Sequence, residues 1–268
     1  MPPRSDHPPD RCWSLSPHPV GILPVPGWEC VFGKNDCAMR DITFWVWVLR
    51  CGDQIGLVDT GLPDGADLDA LNRANQSLDV RCVFREHKSI EQVLEDEGIR
   101  PEEVTFVLLS QLVTYCTGGI TARAFPEAVF YCAWEGMSEL LTKSPGHPPK
   151  AFYFTAPTWN SLRELLIENR LVFAQHPLEI APGLLYEPTG GHHPGSAGLQ
   201  IQTSRGIVGI LETAFVQENI TTETPIGIAE NAALCRETIR RYKQICDLVI
   251  AGHDPHANLT MKNFLESA

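Results

Sequence analysis

Apolar residues along this chain follow two periods, and the switches between them mark out elements. Residues 43–50 are rich in aromatic and β-branched side chains, with Phe44 to Leu49 an unbroken apolar run, and predict a strand. The Cys51-Gly52-Asp53 turn and the run at 54–59 make a hairpin of it. Residues 104–109 are continuously apolar, as in a strand buried on both faces. Helical spacing appears at 66–75 and at 89–96, where Ile90, Val93 and Leu94 recur behind a capping Ser89. Short helices at 118–125 and 135–142 flank a strand at 128–132. The stretch 144–158, dense in proline and aromatic residues, reads as a loop before a helix at 161–169. Strands follow at 171–173, 184–187, 199–203 and 207–211, then a long helix at 230–245 and a strand at 248–251. Residues 1–26 form a proline-rich arm with a short strand near 20–25. No repeat or low-complexity linker divides the chain. The mixed order predicts an α/β sandwich in one domain, 1–268, with residues 1–40 as arm and first strand.

Composition narrows the function classes. The 268 residues are 43% hydrophobic and carry a formal charge of −12, which excludes disorder and argues against nucleic-acid or anionic-membrane partners. The longest apolar run is far short of the ~20 residues that span a bilayer. The polar N-terminus has no apolar core of a secretory signal, and nine cysteines without a CxxC pair read as free thiols in a cytoplasmic protein.

Phosphate-binding loops, dinucleotide fingerprints and the serine-hydrolase elbow are missing. The candidate chemistry sits at strand ends, in Ser110-Gln111-Leu112-Val113-Thr114-Tyr115-Cys116-Thr117-Gly118-Gly119, Gly191-His192-His193-Pro194-Gly195-Ser196 and Gly252-His253-Asp254-Pro255. Together with the Asp59-Thr60-Gly61 turn, the order and spacing of these segments resemble the metallo-β-lactamase superfamily over about residues 40–257, and within it the N-acyl-homoserine-lactonase-like hydrolases. That resemblance implies a four-layer αββα sandwich. It also implies a dinuclear zinc centre, which this sequence departs from. In the frame of the family's Thr-His-x-His-x-Asp-His-x-Gly-Gly loop, Gln111, Val113 and Cys116 stand at the histidine positions and Tyr115 at the aspartate position. Thr213 stands where the bridging aspartate belongs, and only His192 and His253 remain of the ligands. Glu212 is one residue early, an offset that on a strand turns a side chain to the opposite face.

Zinc needs three or four N, S or O donors, so the expectation is a site without metal or other cofactor. The reading is a metal-independent enzyme acting on a small apolar ester, lactone, thioester or related carbonyl compound. Hydrolysis is the inherited guess, and lyase, isomerase or cyclisation chemistry is equally compatible. Catalytic candidates are His192 and His253 as acid–base groups, Tyr115 as hydrogen-bond donor and Cys116 as nucleophile. Substrate-binding candidates are Gln111, His193, Phe152, Phe154 and Trp159. The alternatives are a catalytically inactive ligand-binding protein, and a single-metal hydrolase rewired around Cys116, His192 and His253. A small-molecule partner is expected, and a homodimer through the arm is left open.

Overall fold

The computed structural model describes residues 12–120, 124–142, 152 and 155–266. Its framework is two sheets laid face to face. The chain enters through β1 (Ser14–Pro26), a one-turn α1 (Gly27–Cys30), and the hairpin of β2 (Met39–Cys51) and β3 (Gln54–Val58). Helix α2 (Gly65–Leu78), β4 (Arg85–His87), α3 (Ile90–Glu97), β5 (Val104–Leu108), α4 (Thr114–Thr117), β6 (Val129–Ala133), α5 (Trp134–Thr142), α6 (Ala156–Ile167) and β7 (Leu171–Ala174) complete the first half. The second half is β8 (Leu178–Ala181), β9 (Leu184–Pro188), β10 (Ala197–Thr203), β11 (Gly206–Leu211), α7 (Gln217–Thr222), α8 (Ala232–Ile245), β12 (Leu248–Ala251) and α9 (Ala257–Glu266).

Among the described residues the first sheet has the order β4-β1-β2-β3-β5-β6-β7 and the second β12-β11-β10-β9-β8. Strands β3, β5, β6 and β7 run parallel, as do β11 and β12; the other pairings are antiparallel. The unbroken apolar run of β2 is explained by burial on both faces. Trp45, Trp47 and Leu49 pack toward the second sheet with Tyr186, Leu199, Ile201 and Ile210. Phe44, Val46 and Val48 pack toward Leu71 of α2, Val93 and Leu94 of α3 and Phe130. A third cluster joins Leu211, Val249 and Ala251 to Ile239 and Tyr242 of α8 on the outer face of the second sheet. The order of layers is therefore helix, sheet, sheet, helix, the predicted αββα sandwich.

The elements depart from the sequence reading in instructive places. Strand β1 runs 13 residues through four prolines. Pro17 and Pro19 lie two apart, so both missing N–H groups face the same side, toward an edge that only the three residues of β4 cover. Helix α4 falls a turn before the expected 118–125. Helix α6 starts before the expected 161, because Thr155 caps it and Pro157 suits the first turn. Ser89 caps α3 as read, and Gln92 completes a capping box, each side chain satisfying the other's backbone N–H. No helix among the described residues is long and apolar enough to cross a membrane.

Candidate functional site

The C-terminal ends of strands from both sheets meet at one edge of the sandwich. Asp59 follows β3, Ser110 and Gln111 follow β5, Glu212 follows β11 and His253 follows β12, while His192 and His193 come from the loop after β9. Backbone hydrogen bonds fasten these turns together: Ala197 N–H to the Ser110 carbonyl at 2.8 Å, Gly252 N–H to Leu211 at 2.9 Å and Thr43 N–H to His253 at 2.9 Å. The Tyr186 hydroxyl adds a bond to the Leu109 carbonyl at 2.8 Å.

Glu212 is the hub. Its Oε1 accepts from the Gln111 side-chain amide and from His253 Nε2 at 2.9 Å, and its Oε2 lies 3.5 Å from Ser110 Oγ. His253 Nδ1 faces the Thr43 carbonyl at 3.3 Å. Acceptors flank the ring on both sides, so both nitrogens donate and the ring is an imidazolium. Burial opposes that charge, but the Glu212 carboxylate and the Thr43 carbonyl outweigh it and raise the His253 pKa. Burial likewise opposes ionisation of Glu212, and the His253 charge with the contacts of both imidazoles holds its pKa down to about 2. The two form a buried ion pair. His192 Nδ1 lies 3.4 Å from Glu212 Oε1, without the alignment of a hydrogen bond.

A second chain of bonds fixes the neighbours. Gly195 N–H donates to His193 Nδ1 at 3.0 Å, so His193 Nε2 carries the proton it gives to Gln111 Oε1 at 2.7 Å. That in turn orients the Gln111 amide N–H toward Glu212. Behind Glu212, Asp59 sits in the left-handed region at φ 63° and accepts from the Ser110 N–H at 2.7 Å and Oγ at 2.6 Å. Burial, opposed by these bonds, pushes the Asp59 carboxyl up to about 7.

This network forms part of the wall of a cavity of about 650 Å3, within the range of small-molecule sites. Gln111, His192, His193 and His253 line one part; the rest is mostly apolar, including Leu23, Val25, Ile42, Phe44, Phe215 and Ile228. Among the described residues no three His, Cys, Asp or Glu side chains are grouped so as to hold a metal ion.

No protein-family model matches the chain. It is 24% identical over 238 residues to an N-acyl homoserine lactonase of a Bacillus species, covering 85% of this chain and 88% of the relative. With an N-acyl homoserine lactonase of Bacillus cereus it shares 24% over 261 residues, 90% of this chain and 96% of the relative. Among solved structures it superposes on an N-acyl homoserine lactone hydrolase, with N-hexanoyl-L-homoserine bound at its catalytic metal centre, at TM-score 0.74 and 19% identity, covering 92% of this chain and 95% of that one. A probable metal-dependent hydrolase from Staphylococcus aureus gives TM-score 0.71 at 15% identity, covering 91% and 90%. This is a metallo-β-lactamase fold. The resemblance read from the motifs, including its lactonase-like branch, is carried by these relatives.

Within the metallo-β-lactamase fold, the structure brings together His192, His193, His253 and Gln111 as the sequence suggested. Tyr115 also lines the cavity, but its hydroxyl is not free: it donates to Asn75 Oδ1 at 2.6 Å. Its ring stacks on Phe44 and on Phe152, with centroids 5.2 and 6.2 Å apart. Phe152 is thus part of the wall. Phe154 lies outside the described residues. Trp159 sits on α6, 38% exposed, and is not part of the wall.

Cys116 is buried beneath the floor, its Sγ 3.6 Å from Ser110 Oγ, and does not line the main cavity. Burial and the nearby Asp59 and Glu212 charges push its thiol well above the usual range, which favours the unreactive protonated form. The expectation for Glu212 is corrected outright. Strand β11 ends at Leu211, so face alternation no longer governs Glu212, which turns inward. Thr213 is fully buried with an unpartnered hydroxyl and lies outside the cavity wall. The adjacent His192 and His193 both reach the cavity, with their ring centroids 5.2 Å apart.

Proposed function

We propose that this protein hydrolyses a small, largely apolar ester, lactone or thioester without a metal ion, using His192 as general base. The observation that carries the reading is the position of the His192 ring, with Nδ1 toward Glu212 at 3.4 Å and the ring lining the cavity. A slight turn of the ring makes the carboxylate–imidazole hydrogen bond, which places the proton on Nδ1 and leaves Nε2 as the basic atom. Nε2 then takes a proton from water as the oxygen attacks the substrate carbonyl, and returns it to the leaving oxygen or sulfur as that bond breaks. The Gln111 amide has a second N–H beyond the one on Glu212, and it is the donor we assign to the developing oxyanion. His253 is a fixed positive charge near that oxygen rather than a proton carrier.

The residues present do not fit a two-metal centre. Glu212 accepts from an amide and an imidazolium, the bonding of a carboxylate whose charge is balanced by protein donors. Nine free cysteines suit a reducing compartment, and a cytoplasmic location and a small-molecule partner belong to the same proposal.

The test is hydrolysis of a panel of short- to medium-chain esters, lactones and thioesters by chelator-dialysed protein. Turnover of at least one class, falling roughly a hundredfold or more in His192→Ala, is the expected result. A second reading, a binding protein without turnover, is favoured by the completeness of the Glu212–His253–Gln111 network. It predicts tight binding of the same compounds and no hydrolysis of any.

A further inference from the structure

Away from the histidines, the Asn75 side-chain amide stands in the cavity wall with no partner for its N–H among the described residues. Asn75, near the C-terminal end of α2, is only 4% exposed and lines the cavity. Its Oδ1 is held by the Tyr115 hydroxyl at 2.6 Å, which fixes the amide plane, while its Nδ2 is buried with no hydrogen-bond partner. A buried, oriented N–H donor without an acceptor is costly in a folded protein, and such groups call for a functional reason. Apolar side chains make up much of the surrounding wall, and none of the described residues accepts from this N–H.

The charges nearby say what kind of acceptor fits. Glu29 and Asp79 line the same cavity, and the Asp79 N–H donates to the Asn75 carbonyl at 3.1 Å. Arg81 is also there, but it is committed to Asp79 through two bonds of 3.0 and 2.7 Å. Burial and the Asp79 charge keep the Glu29 carboxyl up at about 7, a sign that this region is inhospitable to further negative charge. An anionic group would therefore meet carboxylates and no spare cation.

We propose that Asn75 recognises a neutral oxygen acceptor, such as a keto, ether or hydroxyl oxygen, carried on the apolar part of the substrate remote from the carbonyl that reacts. This rests on the reading of the cavity as the ligand site, though not on catalysis. Tyr115 is the positioning residue for the Asn75 amide, which gives its hydroxyl a role other than contact with the reacting group.

The experiment uses probes that cannot be hydrolysed: butylbenzene, its isosteres with one ketone or ether oxygen at successive chain positions, and the matching phenylalkanoate. Binding to the full chain is followed by calorimetry and by the fluorescence of Trp28, which lines the cavity. At least one oxygen-bearing isostere is expected to bind about tenfold tighter than butylbenzene, the effect of one hydrogen bond, and the carboxylate more weakly than either. In Asn75→Leu/Tyr115→Phe, both partners are replaced by apolar groups of similar shape, which preserves packing. There the oxygen-bearing isosteres are expected to bind no tighter than butylbenzene does to the same variant. Equal binding of all neutral probes to the native protein overturns the Asn75 assignment alone, and so does a preference that survives in the double variant. Failure of every probe to bind overturns the cavity reading itself, and this inference with it.

Discussion

Glu212 and His253, 41 residues apart in the chain, meet at 2.9 Å in the buried floor of the cavity. The carboxylate comes from the turn after β11 and the imidazolium from the turn after β12, and these parallel neighbours carry both groups to the same edge. A charge pair sealed from water survives only when its remaining lone pairs and protons are met. Gln111 meets one side of Glu212 and the Thr43 carbonyl the far side of His253.

Breaking that pair is costly. Glu212→Ala leaves the His253 ring without its counter-charge and is expected to lose about 3–5 kcal/mol in urea unfolding. Glu212→Leu/His253→Leu, which removes both charges, is expected to recover most of that loss. A single variant within about 0.5 kcal/mol of native, the size of a surface substitution, contradicts the pair.

Stability carries a pH dependence from Glu29. Its folded pKa of about 7 lies above the usual 4.5, so the folded state holds the proton more tightly than the unfolded chain. Folding is favoured by this group below pH 4.5, and the contribution is lost as pH rises from there through about 7. Glu29→Gln should therefore gain in melting temperature relative to the native protein across that window and hold the gain at pH 8. A difference that is flat with pH contradicts the burial of Glu29.

Thiol chemistry separates Cys116 from the surface. Cys37 is exposed and Cys116 is buried with a raised pKa. Mass spectrometry after brief alkylation of the native protein should find Cys37 modified and Cys116 unmodified, and Cys116→Ser should retain turnover. Rapid labelling of Cys116 with loss of activity would restore the nucleophile reading.

The Gly118-Gly119 pair is needed for close packing. A Cβ at Gly118 would come within 2.0 Å of the Pro63 nitrogen, and one at Gly119 within 2.3 Å of the Thr60 carbonyl oxygen. Gly118→Ala is expected to cost at least ~1–3 kcal/mol by pushing the segment after β5 off the Leu62-Pro63 backbone that follows the Asp59-Thr60-Gly61 turn. An unchanged denaturation midpoint means that the two turns do not touch.

Much of the sandwich was legible because its signals are local. The run from Phe44 to Leu49, the Ser89 cap and the short motifs around His192 and His253 each declare themselves within a few residues. Glu212 was misjudged because alternation was applied to a residue past the end of its strand, and strand ends are the least certain boundary in a sequence. Asn75 was invisible for a different reason: it lies on an unremarkable helical face, and its partner Tyr115 is 40 residues away. The full length of β1 is hidden by its prolines, which read as an extended arm with a strand only near 20–25 until the edge position accounts for them. Cys116 looked reactive by its place in a motif, and only burial shows that its thiol is held protonated.

In the proposed hydrolysis His192, beside Glu212, activates the water without a metal ion. The most direct measurement is the rate of ester, lactone or thioester hydrolysis by chelator-dialysed protein, read beside its metal content and beside His192→Ala. Turnover that persists without stoichiometric metal and disappears in His192→Ala is the predicted result. A protein that carries metal, loses turnover with the chelator and regains it with added zinc overturns the role given to His192.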